Sequence, residues 1–223
     1  MTRLILIIVV VSYLLGSIPF GYLLVWMFRG EDVRKSGSGN IGATNVARIG
    51  SKGLGVATLV LDAAKGYAAV EFAFWLASRY RLEGPIPTSL YDRSANGLSS
   101  HTIFFLAALA AFVAIMGHVF TFWLRFKGGK GVAVAAGSFV ALAPRAMLLV
   151  LVLFVVIVAL TRYISLGSML AALAFPLAVW WLGPAERTTV PILLLIAASS
   201  VLIIVRHKDN IQRLLSGTEN RFR

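Results

Sequence analysis

The 223-residue chain is 59% hydrophobic and 13% charged, with a mean hydropathy of +0.85, against roughly a quarter charged in soluble domains. This excludes disorder and low-complexity polymers, which lack such apolar surface, and makes the chain a membrane protein. Zero Cys removes disulfides, thiolate nucleophiles and Cys-ligated metal, while the net charge of +12 reads as loop charge facing anionic lipid rather than as a nucleic-acid footprint.

Apolar runs able to cross about 30 Å of hydrocarbon are expected at 4–28, 53–78, 103–124, 164–182 and, slightly short, 190–205. The first is too long for a signal-peptide core and has no A-x-A exit, so it is expected to stay in the mature protein. The stretch 131–160 is long for one helix and short for two, with Pro144 and Arg145 near its middle. If these two residues turn the chain there are seven spans, with fourteen Lys and Arg on one side, six on the other and Lys65 inside a span. One helix instead would split them nine against ten. The positive-inside rule therefore favours an all-α integral membrane protein of seven transmembrane helices, N-terminus outside and C-terminus cytoplasmic. The expected organisation is a single membrane domain over 1–223, a polar external loop at 79–102 and a cytoplasmic tail at 206–223. It gathers the polar clusters 36–45, 127–131, 165–168 and 206–210 on one membrane face.

The first cluster, Ser36 to Asn45, sets Gly37, Gly39 and Gly42 among Ser38, Asn40 and Thr44, between Arg34-Lys35 and Arg48. Such a loop can fold backbone N–H groups around an anion, with hydroxyl donors and an Arg fork suited to phosphate. The G-x-G-x-x-G match carries no dinucleotide meaning, because a membrane span rather than a strand precedes it. A flexible loop with a helix cap is the plainer alternative. In the second cluster Lys127 and Lys130 sit with Gly128, Gly129 and Gly131 on a turn leading into an apolar helix, where cations and helix-end donors suit a polyanion. It is not a Walker A loop, since Gly131 follows Lys130; lysines snorkelling to headgroups are its alternative.

Arg206 to Asn210 follows the last span, where a solvated charge run is the ordinary expectation. Asp62 and Lys65, three apart in the second span, can pair on one helix face. His118 is expected to be a buried, hydrogen-bonded imidazole, and His101 to lie outside. No His is followed five residues later by Asp, and neither H-E-x-x-H nor G-x-S-x-G occurs. No metal or cofactor is expected.

Taken together, S-G-S-G-N-I-G-A-T-N-V-A-R (36–48), G-H-V-F-x-x-W-L-R-F-K-G-G-K-G-V-A (117–133), R-Y-I-S-L (162–166) and R-H-K-D-N-I-x-R-L-x-x-G-x-E (206–219) closely resemble the bacterial acyl-phosphate:glycerol-3-phosphate acyltransferase family, PlsY. The resemblance extends over nearly the whole chain. It implies seven helices and a cytoplasmic-face site in a bacterial inner membrane, moving an acyl group from acyl phosphate to the 1-hydroxyl of glycerol 3-phosphate. Lysophosphatidic acid and inorganic phosphate would be the products, and an acyl-phosphate-forming enzyme a possible partner. By position, Ser38, Asn40, Thr44 and Arg48 would bind glycerol 3-phosphate with Lys130, and Ser165, His207 and Asn210 would complete the pocket. Ser38, Lys130, His207 and Asn210 are the catalytic candidates, and the substrate's own phosphate would help take the hydroxyl proton. Thr121 departs from the family, whose members often have Pro there, and the 79–102 loop looks longer than usual. A transporter of phosphate or a phosphorylated solute is the rival reading; it would need a midplane site built from broken helices.

Overall fold

The computed structural model describes residues 1–49, 51–80, 97–185 and 188–222, and every regular element among them is helical apart from an isolated bridge residue at Gly97. In chain order the helices are α1 (Thr2–Ser17), α2 (Phe20–Arg29), α3 (Ala43–Arg48), α4 (Lys52–Arg79), α5 (Ser100–Val119), α6 (Val132–Leu142), α7 (Pro144–Thr161), α8 (Ile164–Leu182), α9 (Val190–Val205) and α10 (Lys208–Leu215). Most of the expected outer loop at 79–102, with Arg81 and Arg93, lies outside the described residues, as does Arg187.

Five segments are long and apolar enough to cross a membrane: Thr2–Arg29, Lys52–Arg79, Ser100–Leu124, Pro144–Thr161 and Ile164–Leu182. A sixth combines α9 with α10 across a 53° bend. The helix α6 has only eleven residues, about 16 Å at 1.5 Å per residue, well short of the expected full span. Its start is fixed by Gly131, whose φ of +86° is a left-handed conformation that ends the preceding loop. Its end is fixed by Ala143 and by Pro144, which opens α7 at its first position, where a missing N–H costs nothing.

Pro19 also divides the first apolar run into α1 and α2, since proline cannot donate to the preceding turn. The break frees two carbonyls in the interior, and side chains from elsewhere take them up. Lys65 Nζ donates to the Ile18 carbonyl at 2.6 Å, and Thr121 Oγ1 donates to that of Ser17 at 2.6 Å. Thr121, fully buried, thus ties the end of α5 to the end of α1.

The helices approach one another through small residues, which let backbones come close where lipid offers no hydrophobic drive for association. Gly16 of α1 packs on the Ala114 backbone of α5, and Gly117 of α5 on that of Tyr13 and Ser17. Gly66 of α4 and Gly137 of α6 each leave room only for the other helix's backbone. Large apolar side chains such as Leu148, Val152, Leu177, Trp180 and Trp181 face outward, and α7 buries only Ala146 and Val150, the inverse of a water-soluble surface.

At one end of the bundle Leu4, Ile8, Ala73, Ala77, Leu106 and Ala110 form a satellite core. At the other, Val25, Val33, Ile41, Val46 and Leu124 form a second one, joining α2, the first glycine-rich loop and the segment after α5. The functional candidates sit at this second end.

Candidate active site

The tail after α9 is folded rather than a solvated charge run, and its centre is Glu219. Its Oε1 accepts hydrogen bonds from Ser165 Oγ at 2.8 Å and Asn210 Nδ2 at 2.7 Å, while Oε2 accepts from Arg213 Nε at 2.7 Å. Against the opposing pull of burial, these donors hold the carboxyl below the usual range. With its amide nitrogen held by Glu219, Asn210 turns its oxygen outward, and Lys130 Nζ donates to it. The start of α8, the tail and the second glycine loop thus converge on one ammonium. Burial, followed by the charges of Arg213 and Arg48 and only partly offset by Glu219 and Asp209, pushes Lys130 down to about 8. An ammonium surrounded by guanidinium groups is short of negative charge, which an incoming phosphate would supply.

His207 is buried, and its Nδ1 lies 2.8 Å from the Ile203 carbonyl. A carbonyl can only accept, so Nδ1 carries the proton and Nε2 the free lone pair. Burial, helped by Lys130, pushes the imidazole down to about 4 despite its bond to Ile203, so it is neutral at physiological pH.

In the first loop the organiser is Asn45, a buried side chain that the sequence reading left out of the site. Its Nδ2 donates to the carbonyls of Val33, Ser36 and Asn40, and its Oδ1 accepts the Ser38 N–H at 2.8 Å. Gly37, at φ +61°, has the Asn45 amide where a side chain would go, and Gly39 is left-handed too. Gly42 is extended and caps α3, its N–H bound by Asn40 Oδ1 at 2.8 Å. Asn40 therefore shapes the loop with both its carbonyl and its side chain, while Ser38, Thr44 and Arg48 present exposed side chains. Among the described residues no hydrogen bond joins Ser38, Asn40 or Thr44 to the Lys130 cluster; Arg48 reaches it by charge.

The second glycine loop corrects an expectation. Gly128 and Gly129 were expected to offer N–H groups to an anion, but they donate to the Val119 and His118 carbonyls at 3.0 Å each. The last carbonyls of α5 are buried at this point and need donors, and the loop folds back to supply them. Arg206 reinforces the turn from Gly128 and Gly129 carbonyls. Lys130 and the first turn of α6, which has no side-chain cap, remain for an anion. Next to this site an open groove of about 570 Å³ runs between Leu160, Leu166, Leu214 and Leu215, with Arg162, Tyr163 and Arg221 at its rim.

The glycerol-3-phosphate acyltransferase family profile matches residues 6–217. A glycerol-3-phosphate acyltransferase of Agrobacterium fabrum is 44% identical over 211 residues, 95% of this chain and 88% of its own length. One of Geobacter sulfurreducens is 43% identical over 219 residues, covering 98% of this chain and 97% of its own. Among solved structures, the glycerol 3-phosphate form of PlsY, an integral membrane glycerol 3-phosphate acyltransferase, superposes with a TM-score of 0.80 at 33% identity, covering 98% of this chain and 96% of that one. Its lysophosphatidic acid form superposes at 0.76 and 32%, covering 98% and 95%.

Proposed function

This chain belongs to the glycerol-3-phosphate acyltransferase family, and from that premise we propose that it takes its acyl group from acyl phosphate and delivers it to the 1-hydroxyl of glycerol 3-phosphate. It is a multi-pass membrane acyltransferase. The observation that carries the reading is Lys130, half-buried on Asn210 and surrounded by Arg48, Arg213 and the Glu219 hub.

In this reading Lys130 and Arg48 receive the phosphate of glycerol 3-phosphate, with Ser38, Asn40 and Thr44 as the polar lip of the pocket. The hydroxyl oxygen attacks the acyl carbon, the bond from that carbon to the phosphate oxygen breaks, and inorganic phosphate departs. The hydroxyl proton leaves on substrate phosphate, with His207 Nε2 as a weak neutral acceptor beside it. The site's main contributions are positioning and charge stabilisation, which suffice for an activated mixed anhydride. A transporter would need its helix break open at midplane, whereas Lys65 and Thr121 close the carbonyls at Pro19.

Direct transfer without an acyl-enzyme is tested with purified protein and acyl phosphate. Phosphate release should require glycerol 3-phosphate and match lysophosphatidic acid mole for mole. A phosphate burst without the acceptor would contradict it.

The ammonium of Lys130 must be protonated to hold a dianion. Above pH 8 or so, kcat/KM for glycerol 3-phosphate should fall about tenfold per pH unit, a limb belonging to the free enzyme. Lys130→Arg, which stays charged, should shift that limb upward even where it lowers the rate. An unshifted limb would assign the titration elsewhere.

The topology that accompanies this function is seven spans in a bacterial inner membrane, N-terminus outside, with the site facing the cytoplasm and an acyl-phosphate-forming enzyme supplying the donor. The break at Ala143–Pro144 and the excess of Lys and Arg at the site's end support it. A reporter fused after Arg145 should lie outside and one after Arg162 inside. Both on one side would rule out the turn.

A further inference from the structure

Beneath the second glycine loop lies a buried group of charges that the chemistry above does not use. Lys65 Nζ meets Asp62 Oδ1 at 2.7 Å, the Ile18 carbonyl at 2.6 Å and His118 Nδ1 at 3.0 Å. All three residues are at most 4% exposed. An ammonium has three protons, and this one has three partners on three different elements: its own helix α4, the α1–α2 break and α5. Because Lys65 can only donate, His118 Nδ1 accepts, which places the ring proton on Nε2.

His118 in turn holds the loop in two ways. Its carbonyl accepts the Gly129 N–H at 3.0 Å, and its ring fills the place where a side chain on residue 129 would stand, with Nε2 the nearest atom. Gly129 immediately precedes Lys130. The second tie from the same break, Thr121 to the Ser17 carbonyl, fixes the point where the loop begins.

We propose that Asp62, Lys65 and His118 are positioning residues: a buried clamp that locks the α1–α2 break against the Gly129 turn and thereby sets where the Lys130 ammonium meets the substrate phosphate. Lipid-buried charges that served only stability could be replaced by apolar residues at little loss. The geometry gives this group a more particular task, since each of its bonds ends on backbone or ring atoms that define the loop. The proposal rests on Lys130 binding glycerol 3-phosphate, as argued above.

The test uses the full-length protein purified in detergent, with KM for each substrate, kcat and thermal unfolding measured together. The double substitution Asp62→Leu with Lys65→Met removes both charges at similar volume, so neither is left buried alone. His118→Leu removes the Nδ1 acceptor, while His118→Asn sets an amide oxygen close to where Nδ1 was. The double variant and His118→Leu should remain folded and raise KM for glycerol 3-phosphate about tenfold to a hundredfold, the scale of an ångström-level misplacement, with a smaller change for acyl phosphate. His118→Asn should recover most of that loss. An unchanged KM in the folded double variant would overturn the clamp, as would activity lost only in proportion to the unfolded fraction. Wild-type protein that fails to use glycerol 3-phosphate with acyl phosphate would instead refute the functional reading, independently of these variants.

Discussion

Replacing Lys130 with Ala should lower kcat/KM by about a hundredfold to a thousandfold, the range for removing one preorganised charged donor from a site of low dielectric. Lys127→Ala, three residues earlier and exposed, should change it by less than about fivefold, as for an ordinary surface charge. The asymmetry follows from partners. Lys130 is held by Asn210, which is held by Glu219, which is held by Ser165 and Arg213. A radiometric acylation assay on both variants, at saturating and limiting glycerol 3-phosphate, checks it. Equal small effects would make both lysines lipid anchors.

The second large effect is expected from Asn45→Ala. This side chain takes no part in the proposed chemistry, yet it makes four hydrogen bonds that bend the first loop back on itself. Its removal leaves three carbonyls and the Ser38 N–H to find water, and the left-handed turns at Gly37 and Gly39 lose their template. A fall of about tenfold to a hundredfold in kcat/KM is expected, with a stability loss of about 1–3 kcal/mol. Asn45→Asp keeps the acceptor for Ser38 but not the donors, so it should sit close to the alanine variant. Near-wild-type kinetics for both would show that the loop is shaped from elsewhere.

The parts legible in the sequence were those with a periodic or charged signature. Runs of apolar residues marked the helices, Pro144 marked the α6–α7 break, and the lysine and arginine tally put the polar clusters together at one end. The residue types at the site were also legible: Lys130, Asn210 and Ser165 do converge. Less visible was which donor meets which acceptor. Gly128 and Gly129 have the composition of an anion loop, but a sequence does not show that the buried carbonyls of His118 and Val119 have first use of their N–H groups. Glu219 looked like one more charge in a polar tail, and only the three-dimensional return of that tail to Ser165 makes it a hub. Asn45 stood among better-known phosphate ligands, and its part is to hold the backbone. The short α6 was hidden because an apolar run measures composition, whereas the left-handed turn at Gly131 sets where the helix starts.

The donor is the central claim, and a single measurement addresses it. Purified protein is given glycerol 3-phosphate with acyl phosphate, acyl-CoA or acyl-carrier-protein thioester, each alone, and lysophosphatidic acid is quantified. A thioester acyltransferase acting on an alcohol needs a base to raise the nucleophile; this chain has no His followed five residues on by Asp, and its buried His207 is a poor base. Acyl phosphate brings a stronger electrophile and a leaving group that the cations of this site can receive. Lysophosphatidic acid should form from acyl phosphate and from neither thioester. Robust turnover of acyl-CoA by the pure protein, with acyl phosphate left untouched, would contradict the account.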